Sequence, residues 1–166
     1  MLIDELKNIA RNNGIVGAGG AGFPAYAKMT EKADTVILNC VECEPLLKLH
    51  RQLLATHTEE IIQMLDEVRE SFGAKEAVIG IKSEYVTTIK AIEEVIGDFP
   101  NVRICALKAA YPMGDEVVLI YEAIGRVIKP GGLPIDENVV VYNVETMYNL
   151  YRAVHLNIPV TNKLVS

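Results

Sequence analysis

Three observations predict an α/β chain with a mostly parallel sheet covered by helices. Short apolar, β-branched runs alternate with longer stretches of helical period. No 20–50-residue repeat, low-complexity tract or Ser/Pro-rich linker divides the chain. Its 166 residues are the size of one compact domain with room for a real core.

The elements follow in order. Leu2, Leu6 and Ile9 mark a short amphipathic helix that stops at Asn12-Asn13-Gly14. A glycine-rich segment runs from Gly14 to Pro24, and Thr35-Val36-Ile37-Leu38-Asn39 is a strand ending in polar residues. Ile61, Leu65, Val68 and Phe72 recur at i, i+4, i+7 and i+11, predicting one helix over 51–72 closed by Gly73. Ala77–Ile81 is the second strand. Ser83 is positioned to cap a helix whose inner face is Tyr85, Ile89, Ile92 and Ile96. Val102–Leu107 is the third strand, and Gly114 opens a helix with Val117, Tyr121 and Ile124 inward. A Gly/Pro-rich turn region (126–136) leads to the strand Val139-Val140-Val141 and a last helix carrying Met147, Leu150, Tyr151 and Val154.

Composition excludes several function classes. Twenty-two acids against sixteen bases give a net charge of −6 and a pI near 5.1, with no basic stripe for a nucleic-acid backbone. No apolar run approaches the roughly 18–20 residues of a membrane span, and the first residues lack the pattern of a signal peptide. Three cysteines are the wrong number for a disulfide scaffold, so a cytoplasmic location is expected.

The most informative segment is Gly17-Ala18-Gly19-Gly20-Ala21-Gly22-Phe23-Pro24. Four glycines in six residues strip nearly every Cβ from one surface, letting backbone N–H groups approach a ligand. Such a run cradles a phosphate or lies flat against an aromatic ring system. A mobile linker would favour Ser, Thr and charge over Ala, Phe and Val. Gly17, Gly19 and Gly22 also satisfy G-x-G-x-x-G, which counts only directly after a buried strand. Here only Ile15-Val16 precede it, and the acid expected at a strand end about twenty residues on is missing, so a simple dinucleotide fingerprint is disfavoured. Pro24 permits a short first helical turn. No Gly-Lys-Ser/Thr closes the run as a Walker loop.

Ligands of open α/β sheets bind beyond the carboxyl ends of the strands, and three such ends carry polar groups. Asn39-Cys40-Val41-Glu42-Cys43-Glu44-Pro45 offers two carboxylates that can accept from hydroxyls or an amide, or that are simply solvated. Tyr111-Pro112-Met113-Gly114-Asp115-Glu116 places two acids at a helix start, favoured by the helix dipole in any case and unsuited to phosphate. In Asn143-Val144-Glu145-Thr146, Asn143 is also an obvious N-cap. Cys40-x-x-Cys43 does not open a helix and has no second Cys/His pair at zinc spacing. His50 and His57 read as surface residues on a helix, so no metal site is expected. No hydrolase nucleophile arrangement stands out.

Taken together, GAGGAGFPAYAK (17–28), ILNCVECEP (37–45), YPMGDE (111–116) and YNVET (142–146) resemble one family. It is the flavoprotein domain shared by the NADH-binding subunit of respiratory complex I and the RnfC-like proteins of the Rnf complex. The look is closest to the cobalamin reductase branch of propanediol-utilisation compartments and related clostridial electron-transfer proteins. The resemblance covers nearly all of 13–162 and implies a Rossmann-like three-layer sandwich that binds FMN, with NAD(H) stacking on the exposed flavin face. By position, Gly17, Gly19, Gly20 and Lys28 belong to the FMN loop. Asn39, Glu42, Tyr111, Gly114, Asn143 and Thr146 would line the flavin. Phe23, Glu44, Asp115 and Glu116 fall where the family contacts the nicotinamide nucleotide.

Residues 1–166 are therefore expected to form one FMN/NAD(H)-binding domain, without the ubiquitin-like and iron–sulfur domains of fuller relatives. The function implied is hydride acceptance from NADH onto FMN and electron release to an iron–sulfur partner, with no catalytic side chain and no cluster in this chain. A peripheral position on the cytoplasmic membrane face is compatible with it. Ala18 and Val41 stand where the complex I protein has Arg and an acid. They motivate an alternative, a non-catalytic nucleotide-binding or docking module that has lost tight flavin binding. A free-standing NAD(P) dehydrogenase using the G-x-G-x-x-G loop directly is the third reading.

Overall fold

The computed structural model describes residues 1–19, 21–44 and 46–163. Four strands form one all-parallel sheet: β1 (Thr35–Cys40), β2 (Glu76–Lys82), β3 (Val102–Leu107) and β4 (Val139–Asn143), in the order β3-β2-β1-β4. The chain steps outward from β1 to β2 to β3, then returns to place β4 on the other side of β1. That reversal is the topological switch point, where open α/β sheets leave a crevice at their carboxyl ends.

Helices α1 (Ile3–Asn12), α2 (Leu49–Thr56), α3 (Thr58–Phe72), α4 (Val86–Val95) and α6 (Val144–Leu156) bury the larger core around Val36, Leu38, Ile79, Ile81, Val140 and Tyr142. A single helix, α5 (Glu116–Ile124), covers the opposite face over Ile37, Val78, Val139 and Val141. β1 is buried at every position, which explains why its run of Thr-Val-Ile-Leu shows no alternation.

Three local expectations need correction. The single helix over 51–72 is two, α2 and α3. The Thr58 hydroxyl donates to the Leu54 and Ala55 carbonyls (2.8 and 3.2 Å), and His57 between them is non-helical at φ −121°, ψ 43°. A side chain that competes for the carbonyls of the preceding turn ends that turn, while the apolar period runs on unbroken. Gly73 closes α3 at φ 69° as expected. Ser83 does not cap α4; its N–H is taken by Leu107 O at 2.8 Å, and α4 starts after Tyr85 with no side-chain cap. In α5 the buried residues are Leu119, Ile120 and Ala123, whereas Val117 and Tyr121 are exposed. Glu-Val-Val-Leu-Ile-Tyr-Glu-Ala-Ile is apolar nearly all round, so its period chose no face. Packing chooses it instead: Leu119 seats over Gly80 of β2, where a Cβ would come within 2.6 Å of Leu119 Cδ1.

Candidate functional site

The crevice at the β1/β4 switch point is a cleft of about 660 Å³, inside the roughly 300–1,000 Å³ usual for small-molecule and cofactor sites. The glycine segment forms one wall. Its neck is closed by Gly17 N–H donating to Phe23 O (2.7 Å), Ala25 N–H to Ile15 O (3.0 Å) and an antiparallel bridge between Val16 and Pro24. Gly22 turns the loop at φ +64°, a left-handed conformation that side chains disfavour. The short turn expected after Pro24 is the 3-10 helix Ala25–Lys28. At Gly19 a Cβ would lie 2.6 Å from Asn143 Nδ2, so the amide opposite leaves no room for a side chain at this point of the wall.

Two asparagines lie at the carboxyl ends of β1 and of β4, its neighbour at the sheet edge. Asn39 and Asn143 are register partners of β1 and β4 and therefore project to the same face. Asn39 is 8% exposed and is held at both amide atoms: its Oδ1 accepts from Val41 N–H (2.9 Å) and its Nδ2 donates to Gly114 O (3.1 Å). It thereby ties the exit of β1 to the 111–116 loop. Asn143 occupies the N-cap position of α6 without making a side-chain cap bond, contrary to the plain capping role its position suggested. Its amide faces the ledge at Gly19 instead.

Glu42 follows β1 and is 4% exposed. Its Oε1 accepts from the His50 backbone N–H at the start of α2 (2.7 Å), and its Oε2 has no hydrogen bond among the described residues, with Arg51 Nε 3.8 Å away. Burial pushes this carboxyl above its ordinary range, against the pull of the His50 N–H and Arg51. His50 is no surface residue either. Its Nδ1 is sealed from solvent without a hydrogen bond among the described residues, and burial lowers its basicity.

Asp115 caps α5, its Oδ1 accepting from Val117 N–H (3.0 Å) and Val118 N–H (3.4 Å), so the dipole-based reading of this acid holds. Gly114 is packed tightly: a Cβ would meet Cys43 Sγ at 2.5 Å and Val41 O at 2.6 Å. Lys28 reaches the Val141 carbonyl at 3.4 Å and lies 5.9 Å from the ring of Phe23, which is 49% exposed.

Of the expected site residues, Gly17, Gly19, Phe23, Lys28, Asn39, Glu42, Gly114, Asp115, Glu116, Asn143 and Thr146 all line this one cleft. Glu44 and Tyr111 line an adjoining cavity of about 310 Å³ that shares Glu42, Cys43 and Gly114 with it. Gly20 and Pro45, both within the expected motifs, lie outside the described residues. The sequence reading missed His50, Glu145 and Lys163, which also line the cleft. Glu145 sat inside a recognised motif; Lys163 had no signal, since its contact with Ala18 spans 145 residues.

A glycine loop with an amide facing it, and further polar and charged groups lining the same cleft, fit a flat, polar-edged cofactor. Comparison with known proteins agrees. The family description "Nuo51 FMN-binding domain" matches residues 10–152. The chain is 38% identical over 161 residues to cobalamin reductase PduS of Citrobacter freundii, covering 97% of this chain and 35% of that protein. It is 32% identical over 167 residues to the C component of the Na⁺-translocating ferredoxin:NAD⁺ oxidoreductase complex of Acetobacterium woodii, covering 98% of this chain and 38% of that one. Among solved structures, the air-oxidised NAD⁺-reducing [NiFe]-hydrogenase superposes with a TM-score of 0.77 at 25% identity, over 92% of this chain and 30% of that chain. The chain thus spans about a third of the length of these relatives.

Proposed function

The chain belongs to the Nuo51 FMN-binding domain family, and we propose that it serves as a flavin-dependent electron-transfer module. It holds FMN in the β1/β4 cleft, takes hydride from NADH and delivers electrons to an iron–sulfur domain or subunit. The observation that carries this reading is the convergence of four separate segments, 17–19 with 23–28, 39–42, 114–116 and 143–146, on one cleft beside Gly17 and Gly19. The names of two relatives, a component of a ferredoxin:NAD⁺ oxidoreductase and an NAD⁺-reducing hydrogenase, support the nicotinamide donor. That of the first also supports a peripheral place on a membrane complex. Among the described residues no helix is long and apolar enough to cross a membrane.

FMN, when bound, supplies the conversion of a two-electron donor into single-electron steps. The chain's own residues position and tune it. The loop backbone at Gly17 and Gly19 gives close approach, and the Gly19 N–H is the donor it offers, those of Gly17 and Ala18 being held by Phe23 O and the Thr146 hydroxyl. Lys28 supplies a cation able to balance a phosphate or a reduced ring. Asn143 offers an amide that faces the loop at Gly19, and Glu42, paired with Arg51, places a carboxyl group in the cleft lining. Phe23 presents an exposed aromatic face at the rim, and Glu116 a carboxylate for ribose hydroxyls. No side chain needs to act as acid or base in the hydride step.

The purified chain titrated with FMN is expected to quench flavin fluorescence and shift the flavin spectrum, then to bleach on anaerobic addition of NADH. Failure to take up FMN overturns the reading. Uptake without bleaching removes NADH as donor and leaves a flavin carrier.

A further inference from the structure

We propose that Lys163 is a positioning residue of the cofactor site, acting through the Ala18–Gly19 peptide. This rests on the flavin reading above. Lys163 Nζ donates to the Ala18 carbonyl (3.0 Å) and pairs with the Glu145 carboxylate in the first turn of α6. On the other side of the same residue, Ala18 N–H donates to the Thr146 hydroxyl (3.0 Å), and Thr146 is 1% exposed. Both backbone groups of residue 18 are therefore gripped, one by α6 and one by the C-terminal segment.

That segment is itself anchored. Ile158 N–H donates to Arg152 O and Val160 N–H to Asn13 O, each at 3.0 Å, and Val160 packs against the larger core. The ammonium is thus delivered to the loop from a fixed base. Lys163 lines both the main cleft and a smaller cavity of about 210 Å³ behind the glycine loop, next to Val16, Gly22 and Asn149.

The physical consequence follows from peptide planarity. In a trans peptide the C=O and the following N–H point in opposite directions. Fixing the Ala18 carbonyl on Lys163 therefore turns the Gly19 N–H to the opposite side of the peptide. A glycine-flanked peptide otherwise rotates at little steric cost, so the donor would be lost for part of the time. Because the Glu145 carboxylate already balances its charge, Lys163 acts as a clasp on the loop and leaves anion contact to Lys28.

The test compares the wild type with Lys163→Arg, Lys163→Met and the double variant Glu145→Gln/Lys163→Met. FMN dissociation constants come from fluorescence quenching, apo-protein stability from thermal melting, and flavin geometry from visible circular dichroism at saturating FMN. Lys163→Met is expected to weaken FMN binding at least about tenfold and alter the flavin band, while Lys163→Arg stays within about threefold and keeps it. The double variant, freed of the unbalanced carboxylate, is expected to melt like the wild type and still bind as weakly as Lys163→Met. Equal affinity of Lys163→Met and wild type, a Lys163→Arg as weak as Lys163→Met, or full recovery in the double variant overturns the proposal. The wild-type titration alone judges the flavin reading, and the ratio of variant to wild type alone judges Lys163.

Discussion

Replacing Gly19 with alanine puts a methyl carbon 2.6 Å from Asn143 Nδ2, about 1 Å inside ordinary contact. The backbone does not resist, because Gly19 is not among the glycines at positive φ. The obstruction is the free end of a side chain that makes no cap bond with α6. Turning that amide about 30° off its rotamer costs roughly 0.5–1.5 kcal/mol. At about 2–4 °C per kcal/mol for a protein of this size, the apo-protein should melt only about 1–6 °C lower. The cofactor site loses far more. A methyl group then stands on the ledge, worth roughly 1–3 kcal/mol as overpacking, and the displaced amide forfeits a hydrogen bond of about 0.5–1.5 kcal/mol. A combined loss of roughly 1.5–4.5 kcal/mol is about a 10- to 1,600-fold rise in the FMN dissociation constant. Fluorescence titration and differential scanning fluorimetry on the same preparation read both quantities. An unchanged dissociation constant would refute the assignment of the ledge, and a melting-point drop above about 10 °C would show that Gly19 serves the fold.

Three further outcomes are expected. Gly114→Ala meets the Val41 carbonyl at 2.6 Å, a backbone atom that cannot swing aside, so it should lower stability by about 1–3 kcal/mol in urea unfolding as well as weaken FMN binding. Glu42 has a folded-state pKa raised by burial above its ordinary 4.5, so the stability it gives the fold is present below that value and lost as pH rises through the raised one. Glu42→Gln should therefore melt above the wild type at neutral pH, the gap closing as pH falls toward 4.5; a gap that widens on acidification contradicts the burial argument. Asp115→Ala removes a helix cap worth about 0.5–2 kcal/mol, whereas Asp115→Asn keeps it. Thermal melting should separate the two, and any loss of NADH reactivity shared by both variants would belong to the carboxylate's charge.

The strands were legible because their β-branched runs are short and bounded by polar residues, and all four lie where those runs predict. The site motifs were legible because strand ends of an open sheet have fixed neighbours: with Asn39 near the end of β1 and Asn143 at the end of β4, register makes them adjacent. What escaped was set by tertiary contact. The break at His57 comes from a hydroxyl choosing carbonyls, with no change in apolar period. The buried face of α5 is selected by a vacancy at Gly80 on another strand. The Lys163 contact joins residues nearly a whole chain apart, and nothing local to either end announces it.

The position of β4 has an implication for how the protein is made. β1 pairs on one edge with β2, the next strand in the chain, and on the other with β4, the last of the four. As the polypeptide leaves the ribosome, the second edge of β1, buried in the finished sheet, waits open while a hundred or so residues are added, a period in which unpaired edges invite wrong partners. The cleft has no wall on that side until β4 docks, so a ligand of this cleft can stabilise only a sheet that is already closed.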